Sequence, residues 1–169
     1  MACTALCTAT VTLVAQIAFP LPFGVPITLQ VFAIALSGYL LGPKYGVIST
    51  LLYITLGAIG VPVFSHFRGG IQYIFGSPTG GFILGFIFIS LFCGLSCLFR
   101  WKKRGAFYSI SFGFIGTVIC HLCGSMQYAS VSALPFNVAV LTVSLPFILK
   151  DIIFTVLAYF LSVRLKKFI

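Results

Sequence analysis

The feature that most constrains the fold of this chain is its near-complete lack of acidic residues. Asp151 is the only Asp or Glu among 169 residues, and charged residues of either sign make up 7% of the chain. A soluble domain carries about 25% charged residues. Because hydrophobic residues make up 60% of the sequence, the chain cannot cover a water-facing surface, and lipid must be its solvent.

Six apolar segments, separated by connectors rich in Pro and Gly, predict an all-α integral membrane protein with one membrane domain over residues 1–169. Odd and even positions of each segment are both apolar, whereas the strands of a membrane barrel alternate apolar and polar residues, so helices are favoured. A helix needs about 20 apolar residues to cross a bilayer. The predicted spans are 2–19, 27–42, 45–61, 82–99, one from about 106, and one that starts near Pro146 and ends at 164–167.

The basic residues predict the orientation of these spans. With six spans and both termini in the cytoplasm, only Arg68 and Lys150 fall on the outer side. The inner side then holds the other eight basic residues, namely Lys44, Arg100, Lys102, Lys103, Arg104, Arg164, Lys166 and Lys167. The positive-inside rule favours this arrangement over one with a seventh span. It makes 125–145 an outer loop or a helical extension.

The long connectors 20–26, 62–81 and 124–145 all fall on the predicted outer side. Irregular backbone at membrane depth is tolerated only where protein buries it or where it lines a cavity. We therefore expect a ligand pocket at the extracellular side and plain helix packing at the inner side.

Several functional classes are disfavoured by the residue types present. The net charge of +9 lies in short clusters between spans, so no folded basic face is available for nucleic acid. We find no nucleophile–base pair with a third, orienting group, and predict no catalytic residues and no enzyme. The cysteine pairs, such as Cys93 and Cys97, lack further ligands, so no metal site is predicted. The glycine-rich run 76–81 lacks the Lys-Ser/Thr of a nucleotide loop.

Asp151 is the leading candidate for a functional residue, because ionisable groups inside membrane segments mark functional sites by default. Ionised, its carboxylate accepts hydrogen bonds and suits a ligand with N–H or O–H donors. Arg68 complements it as the partner of a negative group on the ligand. Two alternatives stay open: Arg68 pairs with Asp151 for folding, or Arg68 extends to lipid headgroups. A pair between Lys150 and Asp151 is disfavoured, because neighbouring side chains on a helix point about 100° apart. His66 and His121 are interpreted as loop or packing residues.

A set of motifs in order along nearly the whole chain resembles the BioY family, the biotin-specific substrate-binding components of energy-coupling-factor (ECF) transporters. The motifs are Pro26-Ile27-Thr28-Leu29-Gln30, Gly38-Tyr39-Leu40-Leu41-Gly42, Gly60-Val61-Pro62-Val63-Phe64, Gly69-Gly70, Gly76-Ser77-Pro78-Thr79-Gly80-Gly81-Phe82, and Leu145-Pro146-Phe147 followed by Asp151.

The resemblance implies a six-helix membrane protein in the bacterial cell (inner) membrane with a vitamin site at its extracellular end. It implies biotin as the transported ligand, without a further cofactor. It also implies a partner module made of a transmembrane coupling subunit and two ATPase subunits. Two kinds of site residue follow. Matching family positions imply that Asp151, Thr28, Gln30 and Tyr73 lie near the ligand. Arg68 joins these candidate ligand-binding residues because of its charge and predicted orientation, and Gln72 and Lys150 complete the set.

The second kind of site is a docking face on the first helix. Ala5 and Ala9 lie four residues apart, and small residues at that spacing let helices approach closely in lipid. The resemblance implies that this face contacts the coupling subunit, and the alternative is packing within the chain. In the family, Gly and Lys commonly stand where this chain has Lys150 and Phe154. Two further functions stay open: a binding component for another vitamin, and a self-sufficient proton-coupled carrier.

Overall fold

The computed structural model describes residues 1–22, 24–98 and 105–167, and most of these residues are helical. The basic cluster 100–104, on which the orientation argument draws, lies outside the described residues. The elements in chain order are α1 (Ala2–Ala15), β1 (Ala18–Phe19), β2 (Ile27–Thr28), α2 (Gln30–Ala58), a 3₁₀ turn (Ser65–Phe67), α3 (Ile71–Gly76), α4 (Gly80–Leu95), α5 (Gly105–Ser132), α6 (Phe136–Ala139), a π-helical turn (Val140–Ser144) and α7 (Leu145–Leu165).

Helix α2 is a helical hairpin whose two arms, 30–41 and 43–58, meet at Gly42. Gly42 has φ 78° and ψ −178°, a region of backbone space that is essentially reserved for glycine. On either side of it, Gln30 Nε2 donates to the Tyr53 hydroxyl at 2.6 Å, and Gly46 approaches the backbone of Gly38 so closely that a Cβ would meet it. Both contacts require antiparallel arms, so Gly42 separates the second and third predicted segments.

Small and polar side chains join the helices, as expected where lipid removes the hydrophobic drive for helix association. Helix α2 packs against α1, α4 and α7, and α4 packs against α5. Between α1 and α2, Thr8 Oγ1 donates to the Ser49 carbonyl at 3.1 Å. The packed face of α1 carries Thr4, Thr8, Val11 and Ala15. Ala5 and Ala9 are exposed, so packing of the Ala5/Ala9 face within the chain does not occur.

The last helical segment begins earlier than the sequence predicts. It starts at Phe136 and continues to Leu165, instead of starting near Pro146. Proline lacks an N–H, and its ring clashes with the carbonyl four residues earlier in a regular helix. The π-helical turn Val140–Ser144 widens the helix just before Pro146 and relieves that clash. Asp151 therefore lies near the middle of a continuous helical segment, and 125–145 is largely helical.

Within the described residues, three helices are long and apolar enough to cross a membrane by length and composition: Gln30–Ala58, Ala106–Ser132 and Phe136–Leu165. Ala2–Ala15 and Gly80–Leu95 are shorter apolar helices. With α2 divided at Gly42, each of the six predicted segments corresponds to a helix or a helical arm. The first ends earlier than residue 19, because Ala18 and Phe19 pair with Thr28 and Ile27 in an antiparallel hairpin.

Candidate functional site

A cavity lies between the loop that joins β1 to β2, the first turns of α2 and α4, and the middle of the last helix. Its deeper part, which we call the inner chamber, has a volume of about 40 Å³. Apolar side chains such as Phe82, Phe86 and Phe147 form much of its wall. The polar residues at its wall are Thr28, Gln30, Ser65, Thr79, Lys150 and Asp151.

A wider space, which we call the outer vestibule, adjoins the inner chamber. Its volume is about 640 Å³, and Pro26 and Thr79 line both spaces. Arg68, Gln72 and Tyr73 line the vestibule and not the chamber. The seven predicted ligand-binding residues therefore divide between two adjoining spaces.

Asp151 is the only acid in the chain and is 5% exposed. Its Oδ2 lies 3.1 Å from Nε2 of His121 on α5. Its Oδ1 lies 2.6 Å from the Lys150 ammonium as an ion contact, yet makes no aligned hydrogen bond with the described residues. A buried charge is tolerated when an opposite charge compensates it, so Lys150 accounts for the presence of an ionised carboxylate here.

The expectation that disfavours a pair between Lys150 and Asp151 is wrong. The two Cα–Cβ vectors diverge, but the flexible four-carbon stem of lysine brings the ammonium back around the helix. The same ammonium donates to the Thr28 carbonyl at 3.1 Å and lies 5.2 Å from the centre of the Phe154 ring. Lys150 thus ties α7 to the strand that precedes α2, at the wall of the inner chamber.

Thr28 and Gln30 are buried and bonded to each other. Thr28 Oγ1 donates to Gln30 Oε1 at 3.0 Å, and Gln30 Nε2 donates to the Tyr53 hydroxyl at 2.6 Å. This chain of hydrogen bonds fixes the two side chains against the second arm of α2. It makes them a rigid part of the chamber wall.

Arg68 is exposed in the vestibule. The ion contacts of Asp151 with described residues are those with His121 and Lys150, so the alternative of an Arg68–Asp151 folding pair is not formed. Tyr73 stacks on the buried Phe64 ring, with ring centres 5.7 Å apart. Its hydroxyl accepts from Thr79 Oγ1 at 3.2 Å, which places the tyrosine at the neck between vestibule and chamber.

Part of the wall of the outer vestibule comes from residues 63–77, a segment held by two glutamines from elsewhere in the chain. Just after α1, Gln16 Nε2 donates to the carbonyls of Val63 and Phe64, each at 3.2 Å. From α5, Gln127 Nε2 donates to the carbonyls of Ile74 at 2.6 Å and Ser77 at 3.0 Å. The side chains thereby satisfy backbone groups of an irregular segment.

Sequence reasoning did not identify Ser65 and Thr79 in the chamber wall, nor His121 beside Asp151. His121 is 4% exposed and was interpreted as a packing or loop residue, yet it contacts the one acid of the chain. A signal was present, because an ionisable side chain in an apolar span usually has a polar partner. The sequence does not show which side of α5 faces α7, so it could not identify that partner as Asp151.

Apolar helices that enclose a charged chamber, open at one end through a vestibule, define a membrane protein that binds a small ligand. Comparison with known proteins agrees with this class. The profile of the BioY family matches residues 1–169, and the chain belongs to that family.

Two relatives and one solved structure illustrate the likeness. The chain is 42% identical to a probable biotin transporter BioY of Pyrococcus horikoshii, over 84% of this chain and 81% of the relative. It is 41% identical to a biotin transporter BioY of Thermotoga maritima, over 87% of this chain and 85% of the relative. The crystal structure of an S-component for biotin from an ECF-type ABC transporter matches with a TM-score of 0.88 and 30% identity, over 97% of this chain and 88% of that one.

Proposed function

We propose that this chain is the high-affinity biotin-binding component of an ECF-type vitamin uptake transporter. In this role it presents biotin from the extracellular side to an ATP-driven coupling module. The observation that carries the proposal is Asp151, which lies in the wall of the inner chamber with Oδ1 free of any aligned hydrogen bond among the described residues. Biotin has ureido N–H donors at one end and a carboxylate at the other. The names of the relatives and of the matched structure favour biotin over another vitamin.

The proposed pose follows from the sizes and charges of the two spaces. Small-molecule sites typically enclose roughly 300–1,000 Å³. The inner chamber, at about 40 Å³, is below that range, and the vestibule, at about 640 Å³, is within it. A ligand whose N–H groups reach Asp151 must therefore extend into the vestibule. There Arg68 offers a planar guanidinium to the biotin carboxylate, with Gln72 and Tyr73 beside it.

The proposed orientation places the vestibule outside the cell. At the far end of the bundle, Lys166 Nζ donates to Cys97 Sγ at 3.4 Å, and Cys97 Sγ donates to the Tyr39 carbonyl at 3.2 Å. These contacts gather the C-terminal end of α7, the end of α4 and the Gly42 turn at one end, together with Lys44. A basic end is expected in the cytoplasm. We propose that all six helical segments cross the bilayer and that both termini are cytoplasmic.

The proposed partners are a transmembrane coupling subunit and two ATPase subunits. The support is the likeness to an S-component of an ECF-type ABC transporter and the exposed small residues Ala5 and Ala9 on α1. Close helix packing in lipid depends on such residues.

A titration of the detergent-purified chain tests the ligand. We expect biotin, without nucleotide, to give saturable heat in calorimetry and a rise in unfolding temperature, and thiamine and riboflavin to give neither. Heat with another vitamin and none with biotin would overturn the proposal. Biotin uptake into vesicles that contain this chain alone, driven by a proton gradient, would favour the carrier alternative.

A further inference from the structure

Pairs of polar side chains join α5 to the last helical segment at three levels among the described residues, and His121 makes the middle pair. Ser144 Oγ also donates to the His121 carbonyl at 3.3 Å. Thr117, His121 and Ser125 follow one another at four-residue spacing and so lie on one face of α5. Thr117 Oγ1 lies 3.2 Å from Thr155 Oγ1, and Ser125 Oγ lies 2.6 Å from Ser144 Oγ. The middle contact, between His121 and Asp151, differs because it alone of the three includes a residue that lines the inner chamber.

The geometry fixes which nitrogen of His121 donates. An ionised carboxylate can only accept hydrogen bonds, so Nε2, at 3.1 Å from Asp151 Oδ2, carries the proton. Nδ1 is buried and has no hydrogen-bond partner among the described residues. The ring is held in place by Phe82, whose edge-on ring centre lies 5.5 Å away.

The two oxygens of Asp151 are thus treated differently by the protein. His121 holds Oδ2 through a hydrogen bond, whereas Lys150 compensates the charge at Oδ1 without an aligned hydrogen bond. Rotation of the carboxylate about its terminal torsion is soft, so Lys150 alone does not determine which oxygen a ligand meets. The hydrogen bond from His121 removes that freedom.

We propose that His121 is a positioning residue for ligand binding, which holds the Asp151 carboxylate so that Oδ1 is presented to an N–H donor of the ligand. His121 does not line the chamber and acts through Asp151. The inference rests on the proposed function, because it takes the ureido group of biotin as the donor. The neighbouring contacts at Thr117 and Ser125 already join the two helices, so the His121 contact is not needed for helix packing and can serve to position Asp151.

The test compares substitutions along the same face of α5, with biotin titrated into each purified variant. His121→Leu removes the donor, and we expect at least a tenfold loss of affinity, which corresponds to about 1.4 kcal/mol. His121→Gln keeps an N–H donor and should recover most of the loss. Ser125→Ala weakens the adjacent contact without touching Asp151, so it should leave the affinity within about twofold, whatever it does to the unfolding temperature.

A double-mutant cycle with Asp151→Asn separates positioning from packing. If His121 acts through Asp151, His121→Leu should cost little further affinity in the Asp151→Asn background. Unchanged affinity in folded His121→Leu, or an equal loss in both backgrounds, would overturn the inference. Failure of the wild-type chain to bind biotin would instead count against the proposed function. In that case, the unfolding temperatures of the same four proteins are compared without ligand. If the effects of His121→Leu and Asp151→Asn on the unfolding temperature simply add, the two residues are not coupled and the positioning role is overturned.

Discussion

At the scale of single residues, the proposed ligand site is built around one buried carboxylate, that of Asp151. An ion taken out of water costs several kcal/mol unless a partner compensates it. Lys150 supplies the compensating charge at 2.6 Å and His121 a hydrogen bond at 3.1 Å. Retaining a buried acid in an otherwise apolar chain is therefore expected where the acid binds something.

We predict that Asp151→Asn weakens biotin binding more than Arg68→Gln does. Loss of a hydrogen bond to a charged group costs about 1.5–3 kcal/mol, or roughly 10- to 150-fold in affinity. Arg68 is exposed, and exposed ion pairs contribute about 0–1 kcal/mol. Calorimetric titration of both variants measures the difference.

This comparison needs a control for charge, because Asp151→Asn leaves the Lys150 ammonium without its counter-charge. The double variant Asp151→Asn/Lys150→Met restores neutrality. It should regain part of the stability, but not the affinity. Equal affinities in wild-type and folded Asp151→Asn protein would remove Asp151 from the site.

At the scale of the elements, two local irregularities decide where the helices run. The π-helical turn Val140–Ser144 carries the last helix past Pro146, so a residue that commonly starts a helix lies inside one. Gly42 does the opposite, since it reverses the chain between two helical arms. A proline follows directly at position 43, where its fixed φ suits the first turn of a helix.

We predict that Gly42→Ala destabilises the protein by about 1–3 kcal/mol, the cost of a side chain in a backbone region that is essentially reserved for glycine. Apart from its chain neighbours and the nearby backbone of its own helix, no described residue has an atom within 4 Å of a Cβ added at Gly42, so the cost would be conformational and not steric. Thermal unfolding in detergent measures it. Gly76→Ala is the matched control, because a Cβ there also meets nothing within 4 Å and its φ is not positive. Equal unfolding temperatures for the two variants would contradict this account of the turn.

At the scale of the whole molecule, the two ends of the bundle differ in kind. One end carries the vestibule, the small hairpin and the irregular segment 63–77. The other carries Lys44, Arg164 and Lys166 next to regular helix ends. The first helix runs along the side of α2 and leaves Ala5 and Ala9 exposed, away from the ligand cavity.

We predict that Ala5→Trp or Ala9→Trp blocks assembly with the coupling subunit and abolishes ATP-driven biotin uptake, while biotin binding by the isolated chain is unchanged. A large ring prevents the close helix approach that small residues allow. Co-purification and vesicle uptake measure the effect. Leu122→Trp, on the exposed face of another helix, is the control and should assemble normally. An intact complex with either alanine variant would place the docking surface elsewhere.

The sequence by itself determined the class of protein and the approximate positions of most of its helical segments, but not the end of the first or the start of the last. Composition alone shows that lipid is the solvent, because too few charged residues exist to cover a surface in water. Gly and Pro mark the segment ends locally, as at Gly42 and Pro62. Asp151 could be singled out as the candidate anchor, because it is the only acid in the chain.

Only the tertiary structure decided which residues meet. A helix in lipid is apolar on nearly every face, so the sequence carries little signal for how each helix rotates about its axis. His121 and Asp151 become neighbours through the packing of α5 on the last helix. Arg68 lines the vestibule, whereas Asp151 lines the inner chamber. Lys150 reaches Asp151 only through the conformation of its flexible side chain, and the last helix includes Pro146 only because the backbone before it widens. Residue spacing predicts neither.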